Sequence, residues 1–470
     1  MVGNFAKAYI GSGSDYAYNI GLTQDGGYIV SGRKNKADRG GQENDFLVLK
    51  LDSIGDVDWA KTFDGGGDDR GYDAQPTSDG GYIMVGSSDS FGEGGGRANA
   101  LVVKMDASGN IEWANTYGGR SFEMLYYVLQ TNDGGYITTG WTSSFGAGGS
   151  DILIMKLSST GVLEWAKTWG GSTGDRGFSI QPTSDGGYIL AGTTNEVGTD
   201  VDNDGLVLKL DSEGVVEWAR VIGPSGTSDW TLEAEQTPDG GYIIGGSTDA
   251  YGAGDHDALF IELDSTGELE WAKVLGDETD DKAGGIQVTP DGGYLSTGWS
   301  GGDGVSTPND FFNVKVDSSG NLEWAHLSGG KDIEYGWKTV QTPDHGIVAA
   351  AGVSHSCGAG EEDLMVMKFS ADGTGLDCLK EYDGVLDSWT PPVSSPSITT
   401  VNRSPTVSSV SPSTSSPTVE VSDVCSEHPP PSGSLPLSYY ILTFLAVGAV
   451  SIPLVIYILK KRGKQKQNFV

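Results

Sequence analysis

Cysteine is scarce in this chain: three residues in 470, at Cys357, Cys378 and Cys425. Three cysteines make neither a disulfide-dense scaffold nor a CxxC metal site. Cys357 and Cys378 stand close enough in sequence for a local bridge in an oxidising compartment, and free thiols are the alternative. Histidine is also scarce. His256, His326, His345, His355 and His428 are scattered, which leaves no zinc cluster and no base for a catalytic triad. Basic residues number 29 against 64 acidic ones, for a net charge of −35. Five of the 29 lie in the last eleven positions. A field of that sign repels nucleic acid and anionic lipid, so no nucleic-acid partner is expected.

Glycine, in contrast, is abundant at 73 residues, and it is periodic. "DGGY" begins at Asp25, Asp79, Asp133, Asp185, Asp239 and Asp291, with a decayed copy, "DHGI", at Asp344. The intervals are 52–54 residues. A second phrase puts an aromatic before alanine at Trp59, Trp113, Trp165, Trp218, Trp271 and Trp324. Phe5-Ala6 is an upstream copy, and at the far end Cys378 takes the tryptophan's place in "LDCLKEY". A third phrase is an apolar run such as "DILIMKLS" from Asp151. Repetition at this period marks a structural unit that buries its core against its neighbours.

Each unit reads as four strands. Asp-Gly and Ser-x-Gly supply the positive φ of two hairpin turns. The third strand is apolar at nearly every position, which implies burial on both faces. A four-stranded sheet covered on both sides is a propeller blade. The unit resembles the bacterial and archaeal seven-bladed β-propeller repeats of secreted and cell-surface proteins, over roughly residues 2–382. The resemblance implies an all-β, seven-bladed propeller and is silent on biochemical role. Strands of the first three kinds occur seven times and fourth-strand phrases eight times, so "FAKAYIG" and "LDCLKEY" compete to complete the last blade.

Residues 1–382 are therefore expected to be the propeller, and 383–436 a disordered Ser/Thr/Pro stalk of the kind that carries O-linked glycans. Asn402 heads a formal N-glycosylation sequon followed by Pro405. Residues 437–459 carry no charge and are long enough to span a bilayer as one helix. The basic tail, 460–470, is expected to stay cytoplasmic. That arrangement puts the propeller outside the cell, at the plasma membrane or cell surface. The first thirty residues show no signal peptide and begin inside a repeat, as a truncated N-terminus would.

Within a blade, the "DGG" and "DSxG" turns share one face and the more variable loops share the other. Function is expected on the variable face. There, Asp200, Asp202 and Asp204, followed by Gly205, offer hard oxygens at alternate positions, a spacing suited to calcium. Trp141 and Trp299 follow the second-strand glycine of their blades and are candidates for stacking on sugar rings. Burial between blades is their alternative fate. "GGSTG" from Gly170 fits G-x-S-x-G without a strand-to-helix elbow, so no enzyme is expected. The functional expectation is adhesion, or binding of an extracellular glycan or protein. The alternatives are a polysaccharide-active surface enzyme and a passive coat element.

Overall fold

The structure is a computed structural model. It describes residues 4–10, 15–35, 44–91, 97–195, 203–224, 226–252, 255–301, 309–328, 335–343, 346–354 and 363–374, with short strands between Leu379 and Asp423. Among the described residues every regular element is a strand. The architecture is a β-propeller of four-stranded antiparallel blades.

Six blades are each made of four consecutive strands, beginning at Asp15, Asp69, Glu123, Asp175, Asp229 and Asp281. We call these blades 1 to 6. Six, not seven, is the number of contiguous four-stranded blades. The seventh repeat has no fourth strand of its own. Its three strands (Tyr335–Gln341, Ile347–Ser354 and Asp363–Phe369) are completed by Phe5–Ile10 from the other end of the chain, which pairs Phe5 with Lys368 and Tyr9 with Leu364. Leu379–Glu381, the competing segment, instead pairs with the outer strand of blade 6. The aromatic of the fourth-strand phrase explains the outcome. Phe5 packs on Tyr28 of blade 1, with centroids 6.3 Å apart, where a cysteine would leave the joint underfilled.

The same joint recurs between blades. Trp59 packs on Tyr82 of the next blade at 5.7 Å, Trp113 on Tyr136 at 6.0 Å and Trp218 on Tyr242 at 5.6 Å. The repeated tryptophan and the repeated "DGGY" tyrosine are thus one contact seen from two blades. The serine-, threonine- and proline-rich region also differs from the expected disorder. Short segments from Val385–Trp389 to Glu420–Asp423 add a fifth strand to successive sheets. An outermost strand has an unpaired edge, and threonine and valine have the β propensity to fill it. Residues 437–459 lie outside the described residues, as do 460–470.

Two glycine positions are dictated by backbone geometry. In the "DGG" turn of blade 2, Gly80 has φ of +83°, a region that favours glycine, and a Cβ on Gly81 would sit 2.2 Å from the Met105 carbonyl oxygen. The second position is the glycine that ends "GYIMVG". Each innermost strand carries a β-bulge near its middle. In blade 3, Leu125 pairs with Gly140 and Tyr127 with Thr139, so Tyr126 is the extra residue. The kink drives the Met124 carbonyl to 1.9 Å from where a Cβ on Gly140 would lie. Gly32, Gly86, Gly192, Gly246 and Gly298 meet the same carbonyl in their own blades, at 1.7–2.2 Å.

On the "DGG" face, five blades share a charged clasp. Lys104 of blade 2 is buried and donates to Asp79 at 2.9 Å, Glu112 at 2.8 Å and the Met105 carbonyl at 3.0 Å. Lys50, Lys156, Lys209 and Lys315 repeat it. In blade 5 the lysine is replaced by Glu262, so the carboxylates of Asp239, Glu262 and Glu270 lie within 4.8 Å of one another. Burial pushes the Glu262 carboxyl up, against the Tyr294 hydroxyl that donates to it at 3.0 Å.

Two substitutions test these assignments by denaturant unfolding. Gly140→Ala is expected to cost about 1–3 kcal/mol through backbone overpacking. Ala at Gly174, where a Cβ would meet nothing nearer than 3.4 Å, is expected to leave the midpoint almost unchanged. Glu262→Lys is expected to restore the clasp and raise stability by about 1 kcal/mol at neutral pH; a lower midpoint would show that the clasp does not transfer to blade 5.

Candidate functional site

The bulges explain how the centre of the propeller is furnished. An extra residue on one strand shifts its side-chain alternation, so two successive side chains turn toward the axis. The extra residues are Tyr18, Tyr72, Tyr126, Phe178, Leu232, Gly284 and Trp337. Five of these seven are aromatic, and they are contiguous around the ring. Trp337 contacts Tyr18 at 6.0 Å, Tyr18 contacts Tyr72 at 5.1 Å, Tyr72 contacts Tyr126 at 5.1 Å, and Tyr126 contacts Phe178 at 5.4 Å. Trp230 extends the arc, stacked on Phe178 at 5.8 Å. These rings wall a cavity of about 310 Å³ on the propeller axis.

The residues one position further along form the floor. Lys338 of the closing sheet forms a buried ion pair with Glu233 of blade 5. The Tyr127 hydroxyl of blade 3 donates to the same Glu233 oxygen at 3.2 Å and accepts from Gln181 of blade 4 at 2.7 Å. Side chains from such distant blades meet only by crossing the axis. Blade 6 makes room with Gly284 and Gly285; a Cβ on Gly285 would lie 3.0 Å from Glu233 Oε2 and 3.3 Å from Lys338 Cδ. The result is an aromatic cup closed below by a polar plug, open toward the variable-loop face where the inner strands begin.

The plug's acids are held by backbone amides. Val128 N–H donates to Asp73 at 2.8 Å, Ile286 N–H to Glu233 at 3.0 Å, and Val288 N–H to Glu235 at 2.8 Å. Burial pushes Asp73 up to about 7, although the Val128 amide and Lys338 pull it down. Burial likewise pushes Glu235 to about 7, with Glu233 adding to the effect. Burial also raises the wall tyrosines, Tyr18 and Tyr126 to about 12, so they remain neutral hydroxyls.

At the rim, the acids that open the inner strands are structural. Asp69 accepts from Gly65 N–H and Ser90 Oγ, both at 2.8 Å, and Glu123 accepts from Gly119 N–H and Thr142 Oγ1, both at 3.0 Å. They tie each blade to the connection that enters it. Their repetition reflects that joint.

The two tryptophans singled out from sequence stand behind the wall. Trp141 donates its indole N–H to the Tyr126 hydroxyl at 3.1 Å. Trp299 is 9% exposed and packs on Tyr335 at 5.3 Å and Trp337 at 5.2 Å. Asp204 is buried at the start of its strand. Asp200, Asp202, Cys357, Cys378 and Asn402 lie outside the described residues, as does most of the variable loop sequence. The cup lining itself was missed from sequence. Its signal is an aromatic seven residues ahead of the turn aspartate, as Tyr72 is ahead of Asp79 and Phe178 ahead of Asp185.

The shifted carboxyls fix the pH dependence of stability. An unfolded carboxyl titrates near 4. Asp73, Glu235 and Asp229, the last raised to about 6 by burial, bind protons in the folded state that the unfolded chain has released. Stability therefore rises as pH falls from above about 7 toward about 4. The clasp aspartates work oppositely. Lys156, Thr131 and Gly135 hold Asp133 at about 2; at Asp25, Asp79 and Asp185 the same kinds of partner outweigh burial and give about 2. Their contribution is lost as pH falls from about 4 to about 2. Calorimetry is expected to show the highest Tm at about pH 4–5. In Asp73→Asn the rise between about pH 8 and pH 5 is expected to be shallower, and an unchanged slope would remove Asp73 from this account.

No family model matches the chain, and no curated protein matches it. Among solved structures, a protein of unknown function from Dyadobacter fermentans DSM 18053 is similar over 77% of this chain and 97% of its own, at 11% identity and a TM-score of 0.46. A puromycin hydrolase is similar over 74% of this chain, at 13% identity and a TM-score of 0.35, and its mutant complexed with PGG at 12% and 0.36. The match spans 60% of the length of the puromycin hydrolase chains.

Proposed function

We propose that the protein is a single-pass, membrane-anchored surface protein whose propeller binds a saccharide in the axial cup. The observation that carries the binding reading is the aromatic arc above a closed polar floor. Aromatic faces stack on the apolar faces of pyranose rings, and a cavity of about 310 Å³ has the size of a small-ligand site. Tyrosine hydroxyls in the wall add hydrogen-bonding groups at the edges of the stack. The membrane part is supported by sequence: an uncharged run over 437–459 followed by the basic segment from Lys460. Calcium at Asp200, Asp202 and Asp204 belongs to the same proposal as an accessory site on the loop face.

Among the described residues, no histidine or cysteine lines the cup, and its buried acids are committed to backbone amides and to Lys338. A polysaccharide-active enzyme is the alternative reading. The test is a glycan array probed with the full chain, with and without calcium, beside Phe178→Ala and Trp337→Ala. The expected outcome is calcium-independent binding weakened about ten-fold or more in each variant, or about 1.4 kcal/mol. Binding that survives both substitutions would move the site away from the cup. An absence of binding by the folded wild type would remove the saccharide reading.

A further inference from the structure

The basic side chains around the cup add a charge requirement to its ligand. With acids more than twice as numerous as bases, an arbitrary rim on this protein would be acidic. The rim of the cup also carries basic groups, next to the acids that open the inner strands. The second residue of the inner strand is Arg70 in blade 2, Arg176 in blade 4 and Lys282 in blade 6. In blade 1 that residue is Tyr16, and Arg33 lies 4.1 Å over its ring. Arg33 lies 5.9 Å over the Tyr18 ring, and Arg176 lines the cup together with Tyr126.

They are not equally committed. Arg70 is paired with Asp68 at 2.7 Å and Lys282 with Asp280 at 3.1 Å. Arg176 lines the cup, is exposed, and forms no ion pair with any described residue. Its nearest aromatic partner is the Trp141 ring, 5.9 Å away. A guanidinium presents a planar fork of donors that fits a carboxylate through two parallel hydrogen bonds. The cationic groups in the floor are already used, since Lys338 is held by Glu233. Among the described residues, Arg176 is the lining cation without an ion pair, two residues before Phe178 of the wall.

We propose that the axial cup takes an acidic saccharide, with a sugar ring against the arc from Trp337 to Phe178 and its carboxylate on Arg176. The assignment rests on the saccharide reading of the cup and adds the anion to it. A neutral sugar makes no use of the arginine rim, and a cationic ligand meets repulsion there. The overall negative charge does not forbid an anion, because charges more than about 8 Å away are largely screened at physiological salt.

The test is calorimetric titration of the full chain with matched oligosaccharide pairs: glucose and glucuronate, galactose and galacturonate, mannose and mannuronate oligomers of equal length. The expected result is an acidic member that binds about ten-fold or more tightly than its neutral partner, with the preference shrinking as salt rises. Arg176→Gln is expected to abolish the preference by lowering the affinity for the acidic member about ten-fold or more, while keeping the wild-type Tm. Equal affinity within the pairs, or a neutral preference, overturns the acidic assignment and leaves the saccharide reading in place. A preference that survives Arg176→Gln overturns the role of Arg176. Binding of no member of any pair overturns both proposals together.

Discussion

One steric fact organises the molecule: the middle of each inner strand holds a residue too many, and in six of the seven sheets the strand beside it is glycine there. The bulge sends the carbonyl of the preceding residue into the neighbouring strand, to within about 2 Å of a Cβ position. In those six sheets a Cβ at this position would overlap that carbonyl, whereas the closing sheet carries Ala351, paired with Gly336. In exchange, the alternation of the inner strand slips by one. Two successive side chains face the axis where a regular strand offers one. The aromatic wall and the polar floor are these two residues, so in six of the seven sheets the glycine that looks like repeat filler makes room for the cup.

The floor shows what it takes to close a propeller axis with side chains. Seven strands leave a gap that no single residue fills, and the chain fills it unequally. Lys338 and Tyr127 reach in, while Gly284 and Gly285 withdraw. A buried ammonium and several carboxylates then share a dry space, and buried charge is tolerated only when paired and hydrogen-bonded. Backbone amides from neighbouring inner strands supply most of those bonds. The plug thereby staples blades that are not adjacent, which sequential blade contacts alone do not do. Its stability contribution depends on proton uptake, whereas the clasps on the opposite face depend on proton release.

Much of the scaffold is legible in the sequence, because the constraints that build it are identical in every blade. The turn glycines and the buried third strand follow from recurring phrases, and Phe5-Ala6 is one of the two phrases that could close the last blade. The blade count was misread for a related reason. Counting phrases leaves open which segment supplies the last repeat's fourth strand, and does not reveal that Leu379–Glu381 pairs with blade 6. The cup was illegible because a bulge is a change of register. A period-two reading of "DYAYNIGL" puts Tyr18 and Asn19 on opposite faces, whereas the structure turns both toward the axis.

The columns that do not repeat mark the candidate site within the repeat. Turn aspartates, joint tryptophans and bulge glycines are held nearly constant from blade to blade. The floor position reads Asn19, Asp73, Tyr127, Ser179, Glu233, Gly285 and Lys338, with no residue used twice. A position under the same backbone constraint in every blade has the same intrinsic preferences in every blade. Sevenfold divergence there therefore needs a cause that is not sevenfold. A plug that crosses the axis is one such cause, since each contribution depends on the others. An asymmetric ligand above it is another. The aromatic arc, broken at Leu232 and Gly284, with Arg176 uncommitted on one side, has the asymmetry that a single bound molecule would impose on a symmetric ring.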